Sequence, residues 1–206
     1  MTLPVIACLD LEGVLVPEIW INVAERTGIP ELRRTTRDEP NYDVLMKRRI
    51  AILEARNLKL CDIQDVIGTM EPLPGAAGLL GWLREHYQVV ILSDTFSQFA
   101  QPLMRKLGFP TLFCNTLETS EDDRVTGYRL RLPDQKRASV VALRSIAFRT
   151  IAAGDSFNDI SMLSAAHAGI LFRPPPAIAA QFPQFPVTQT HEQLRAAFEQ
   201  AEAGLR

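Results

Sequence analysis

The segment Ile6-Ala7-Cys8-Leu9-Asp10-Leu11-Glu12-Gly13 joins an apolar run to two carboxylates one residue apart and then to a glycine. Side chains on an extended chain alternate faces. Asp10 and Glu12 therefore point the same way if strand geometry continues through Leu11, and Gly13 permits a tight turn after them. At the carboxyl end of a central parallel strand, where open α/β sheets keep their ligands, Asp10 can attack phosphorus while Glu12 moves a proton. A polar strand-to-loop turn has the same composition, so the pair alone does not decide the chemistry.

Three further stretches end in residues of the same kind. Val89-Val90-Ile91-Leu92 runs into Ser93-Asp94-Thr95, where a hydroxyl and free backbone N–H groups near a helix start can hold phosphate oxygens. Helix capping is the plainer account of that serine. Residues 150–153 run into Gly154-Asp155-Ser156-Phe157-Asn158-Asp159, a pair of acids at a strand end and a helix start. Such hard oxygen ligands suit Mg²⁺, which prefers an octahedron of carboxylates, carbonyls, phosphate and water and would offset repulsion between Asp10 and an incoming phosphate. Acids serving a helix dipole are the alternative. Lys136, in Pro133-Asp134-Gln135-Lys136-Arg137, can pin a transferring phosphate, although a solvated surface lysine is commoner.

The elements that must position these groups alternate. Helices are expected at 75–86, 96–107, 135–147, 158–166 and 191–203, and strands at 89–92, 111–113, 150–153, 169–172 and near Val187. A polar patch at 118–126 between Leu117 and Tyr128-Arg129-Leu130 reads as a hairpin, and Pro174-Pro175-Pro176 as a turn. Strand–helix alternation predicts an α/β fold, a doubly wound parallel sheet with right-handed crossovers. Residues 17 to about 70 lose strand character and read as helices broken near Gly28-Ile29-Pro30 and Glu39-Pro40-Asn41. The expected domains are a core of 1–16 and 72–206 and a small helical cap, 17–71, inserted over the first strand's carboxyl end as a lid.

With 206 residues, 47% hydrophobic and 22% charged, the chain can bury a sizeable core, and disordered or collagen-like classes are excluded. A net charge of −2 gives no electrostatic case for nucleic acid or an anionic membrane, so a small molecule is the expected partner. Cys8, Cys61 and Cys114 are too few and too scattered for a disulfide framework or a zinc site. With no membrane-span-length apolar stretch and no leader pattern, the expected compartment is the cytoplasm. The oligomeric state stays open, a homodimer among the options.

Inside the insert, a helical wheel of 44–56 puts Leu45, Met46, Ile50, Ile52 and Leu53 on one face with Arg49 in its middle. A charge there needs a partner, and a ligand carboxylate gripped by the guanidinium fork would serve, as would an internal acid or a snorkelling stem. Glu18, just beyond Pro17, can meet a substrate ammonium group or simply stabilise a helix dipole. Met46 and Met70 read as packing, and His86, His167 and His191 carry no assigned role.

Together and in order, Asp10-x-Glu12-Gly13, Ser93, Lys136 and Gly154-Asp155-x-x-x-Asp159 resemble the four motifs of the haloacid dehalogenase superfamily, across the whole chain. The helical insert and Asn158-Asp159-Ile160-Ser161-Met162 resemble its phosphoserine phosphatase branch, and 10–20 with 90–95 resemble members of that branch that also transfer phosphate to homoserine. The resemblance implies a Mg²⁺-dependent phosphatase acting on O-phospho-L-serine through an aspartyl phosphate, with homoserine as a second acceptor. It makes Asp10 the nucleophile and Glu12 the acid–base group. Ser93, the Asp94 amide and Lys136 hold phosphoryl oxygens, with Asn158 near the phosphate. Asp10, the Glu12 carbonyl and Asp155 hold Mg²⁺, with Asp159 orienting that shell. Glu18 and Arg49 grip the amino acid. Most such phosphatases carry aspartate where this chain has Glu12, which moves the carboxylate one methylene further out. A same-fold phosphatase for another small metabolite, such as a phosphosugar, is the first rival. A receiver-like signalling domain is the second, but receivers are shorter and lack a helical lid.

Overall fold

The computed structural model describes residues 3–36, 38–39 and 41–205. Seven strands form one sheet in the order β4-β3-β2-β1-β5-β6-β7. The strands are β1 (Val5–Leu9), β2 (Gln88–Phe96), β3 (Thr111–Thr119), β4 (Val125–Arg129), β5 (Arg149–Gly154), β6 (Ala168–Phe172) and β7 (Val187–Thr188). Every pairing is parallel except the β3–β4 hairpin. The chain crosses from β2 on one side of β1 to β5 on the other, so β1 is the switch point where a ligand site is expected.

Alternation along β1 sorts its side chains between two cores. Ala7 and Leu9 join Ile91, Ile151 and Phe172 on one face, with α4 (Ala76–His86), α5 (Ser97–Lys106) and α9 (His191–Leu205) packed there. Ile6 and Cys8 join Val90, Leu92 and Ala152 on the other, under α6 (Gln135–Ser145) and α7 (Ile160–Ala165). With both faces covered, the central strands are apolar throughout. Asp10 continues the Ile6–Cys8 series toward α6.

The segment between β1 and α4 is helical: α1 (Ile19–Thr27), a 3₁₀ turn at Pro30–Arg33, α2 (Tyr42–Ala55) and α3 (Leu60–Gly68). Gly28 ends α1 in the left-handed conformation at φ 68°, as the Gly28-Ile29-Pro30 break predicts. The Asn41 side chain caps α2 by accepting from Asp43 and Val44, while Pro40 of the second expected break lies outside the described residues. The insert shares the larger core, with Trp20 edge-on to Phe99 at 5.3 Å. It is also fastened to the hairpin: Leu60 and Cys61 amides donate to the Asp123 carbonyl and carboxylate at 2.9 and 2.8 Å, and the Tyr128 hydroxyl donates to Asp43 at 2.8 Å.

Several boundaries differ from the sequence expectation. The helix expected at 158–166 is a 3₁₀ turn over Phe157–Asp159 followed by α7, and β2 runs on past Leu92 to Phe96 with a register irregularity. The capping alternative for Ser93 therefore fails, since α5 begins at Ser97 behind Phe96. Pro176 opens α8 (Pro176–Gln181) where a turn was expected, its fixed φ suiting the first helical position. His191 is buried, its ring nitrogens 2.9 Å from the Pro74 carbonyl and 2.8 Å from the Val14 carbonyl. Those residues lie on the two stretches of chain that leave and rejoin the sheet.

Candidate active site

The strand ends bring the separated acids together. The Asp10 amide donates to the Ala153 carbonyl at 2.9 Å, which pins the end of β1 against β5. Asp10, Asp155 and Asp159 each offer a carboxylate oxygen within 4.8 Å of the others. Lys136, reaching from the first turn of α6, donates to Asp10 Oδ1 at 2.8 Å and to Asp159 Oδ1 at 2.7 Å. Asp159 is fully buried, and its Oδ2 accepts from the Asp155 and Ser156 amides at 3.0 and 3.1 Å. Gly13 sits at φ +79°, and a Cβ there would lie 2.5 Å from the Asp155 carboxyl carbon, so the turn after Asp10 requires glycine on both counts.

Three carboxylates face one ammonium, leaving two negative charges in a closed space. Burial, then Asp159, raises Asp10 well above the usual carboxylate range, and the same causes push Asp155 up to about 7. Burial opposes the Lys136 charge, yet Asp10, Asp159 and Asp94 hold that ammonium well above its ordinary value. An all-oxygen donor set with that charge deficit fits a hard divalent cation. Glu12 accepts from the Ile19 amide at 2.8 Å, so the first turn of α1 holds its carboxylate. Desolvation, then the charge of Glu18, pushes it up to about 7.

One cavity meets nearly all the residues singled out from sequence. Asp10, Glu12, Ser93, Asp94, Lys136, Asp155 and Asn158 line it from the sheet side, and Glu18 and Arg49 from the insert. Asp159 alone stands behind, engaged with Lys136 and the 155–156 turn. The Asp94 carboxylate is drawn aside by Asn158 Nδ2 at 3.0 Å. Arg49 is buried with its guanidinium 4.4 Å over the Trp20 ring and Nη2 donating to the Arg34 carbonyl at 2.6 Å. Its Nε has no hydrogen-bond partner among the described residues. Burial lowers Arg49 to about 10, short of discharging it near neutrality.

Sequence reasoning missed Trp20, Thr35, Thr36 and Tyr42 in this lining. Tyr42 had a signal: it stands seven residues, two helical turns, before Arg49 and so shares its face.

The family model for haloacid dehalogenase-like hydrolases matches residues 7–164, a stretch that holds all of these groups. The chain belongs to that family. It is 61% identical over 198 residues to "Phosphoserine phosphatase ThrH" of Pseudomonas aeruginosa, covering 96% of this chain and 97% of that protein. A phosphoserine phosphatase of Pseudomonas syringae pv. tomato is 61% identical over 193 residues, covering 94% of this chain and 81% of its own length. Among solved structures, a substrate-bound phosphoserine phosphatase complex superposes with a TM-score of 0.72 at 18% identity, covering 96% of this chain and 99% of that one. That likeness shows a shared fold over nearly all of the chain.

Proposed function

We propose that this hydrolase is a Mg²⁺-dependent phosphoserine phosphatase that forms an aspartyl phosphate on Asp10 and also delivers the phosphoryl group to homoserine. The observation that carries the reading is that Arg49 and Glu18, both from the insert, line the same cavity as Asp10 and Lys136. Opposite charges suit the two ends of an α-amino acid, and the unpartnered Arg49 Nε is a buried donor that a substrate carboxylate would satisfy. The names of the two relatives at 61% identity point the same way.

The phosphate is held by the Ser93 hydroxyl, the Asp94 amide and Lys136. Asp10, the Glu12 carbonyl and Asp155 would hold Mg²⁺, which would supply positive charge against the phosphoryl oxygens. Asp159 orients the group: with Oδ1 on Lys136 and Oδ2 on two amides, it sets the lysine and the 155–156 turn. Among the described residues, the Leu11 amide and Lys136 both donate to Asp10 Oδ1. As the Asp10–phosphorus bond forms and the ester P–O bond breaks, Glu12 gives its proton to the serine oxygen. Water or the homoserine hydroxyl then enters where serine left. Glu12 takes its proton, the new P–O bond forms, and Asp10 is released. A value of about 7 suits a group that must act as acid and then as base. The longer glutamate is braced by α1, so the proton's position is tied to the insert that closes over the substrate.

In this reading residues 17–71 are a cap domain on a core of 1–16 and 72–206. Three free cysteines suit a reducing, cytoplasmic setting. The deciding experiment incubates purified protein with phosphoserine and Mg²⁺, with and without homoserine, and follows serine, free phosphate and phosphohomoserine together. Serine release with phosphate alone would remove homoserine from the scheme. Activity on p-nitrophenyl phosphate without activity on phosphoserine would overturn the substrate.

A further inference from the structure

We propose that Gln135, held by Arg131, is a positioning residue that aims the Asp94 amide at the phosphoryl group; this rests on the phosphate-holding role read above for the Ser93–Asp94 turn. Gln135 directly precedes Lys136, is 3% exposed, and uses its whole amide. Nε2 donates to the Ser93 carbonyl at 2.5 Å and to Asp94 Oδ1 at 3.2 Å, while Oε1 accepts from Arg131 Nε at 3.1 Å. The amide's orientation is fixed, because a flip would set oxygen against two oxygens and nitrogen against a guanidinium.

The Ser93 carbonyl and the Asp94 N–H belong to one peptide group. A donor on the carbonyl fixes that plane and polarises the N–H at its far side, and a cation behind the donor strengthens the chain of bonds. Arg131 is itself held by Ser139, which its Nη2 reaches at 2.6 Å, and by the Phe113 ring, 4.8 Å from its guanidinium carbon. The following carbonyl, that of Asp94, accepts from Asn115 Nδ2 at 3.0 Å and from the Tyr42 hydroxyl at 3.3 Å. Both carbonyls of the turn are thus gripped from behind.

The same contact solves a second problem. Asp94 carries a carboxylate beside an anion site, and Gln135 with Asn158 takes one oxygen each, turning the charge aside while its amide stays forward. Gln135 touches no reacting atom. It acts through the turn.

The test compares Gln135→Leu with Ser93→Ala and wild type, using phosphoserine, p-nitrophenyl phosphate, and orthovanadate with Mg²⁺ as a mimic of the phosphoryl group in transfer. Gln135→Leu is expected to lower kcat/KM about tenfold on both substrates and to weaken orthovanadate inhibition about as much, with thermal midpoint and circular dichroism preserved. Because the phosphoryl group is common to all three probes, a purely structural role would not move them in step. If Gln135→Leu does not fold, Arg131→Met gives the same readout at one remove, with a smaller parallel loss. Orthovanadate inhibition unchanged in a folded variant, or a loss confined to phosphoserine, overturns the proposal. If Ser93→Ala also leaves orthovanadate inhibition unchanged, the phosphate-holding reading of the turn falls first. Weakening by Ser93→Ala alone sinks Gln135 and spares that reading.

Discussion

The two walls of the cavity are built differently. On the sheet side, Lys136, Asp10 and Asp159 answer one another inside the protein, and the surrounding turns are locked by backbone hydrogen bonds. On the insert side, the buried Arg49 Nε meets no hydrogen-bond acceptor among the described residues. Those hydrogen bonds organise the sheet-side wall before substrate arrives, while its two surplus negative charges call for a cation, and such a wall suits chemistry common to every phosphate ester. A wall with an unpaired buried donor pays for it until a matching group docks, so it suits discrimination. Under the proposed function, reaction and selectivity fall to different stretches of chain.

Substitutions can break that division. Asp10→Asn should abolish turnover on every substrate, by about 10³-fold or more, with the fold intact by circular dichroism; surviving activity would show that the nucleophile lies elsewhere. Glu12→Gln should cost about 10²-fold in kcat on phosphoserine. The loss should shrink for p-nitrophenyl phosphate, whose leaving group needs little protonation, and a rapid-quench assay should find slowed breakdown of the phosphoenzyme. Arg49→Ala should cost about 30-fold in kcat/KM on phosphoserine, the size of a charge-assisted contact, while sparing p-nitrophenyl phosphate. Equal losses on both would merge the two walls into one.

The acidic cluster offers a pH test. A carboxyl raised to about 7, as at Asp155, favours the folded metal-free protein at low pH, and that contribution is lost as pH rises through about 7. Mg²⁺ must displace the proton, so its affinity should rise about fivefold from pH 6 to pH 7 and level off near pH 8. Thermal midpoints with and without Mg²⁺ should accordingly diverge more at pH 8 than at pH 6. The smallest effect expected is for Tyr42→Phe, about threefold in kcat/KM, because its hydroxyl supplies one of two bonds to the Asp94 carbonyl.

Much of the reacting wall was legible because Asp10, Ser93 and Asp155 each follow an apolar run of strand, so the strand pattern carries them with it. Order along the chain then supplied what no single turn could. The insert was harder. Arg49 stood out only as a charge within an apolar stripe, and Tyr42 went unnoticed since a tyrosine on such a stripe reads as core. Gln135 was hidden for a different reason: its partners, Ser93 and Arg131, come from separate connections whose meeting depends on how α6 docks beneath β2. The run of β2 to Phe96 was shortened in the sequence reading because Ser-Asp-Thr resembles a helix start, whereas pairing with β3 at Asn115 keeps the chain extended.

His191, given no role from sequence, ties the last helix to both ends of the insert. Its two ring nitrogens face the carbonyls of Pro74 and Val14 at 2.9 and 2.8 Å, one on each side of the insert. The terminal helix is thus pinned where the chain leaves the sheet and where it returns. A chain cut before His191 would keep every catalytic group yet lose the pin that sets the angle at which the two halves of the pocket meet.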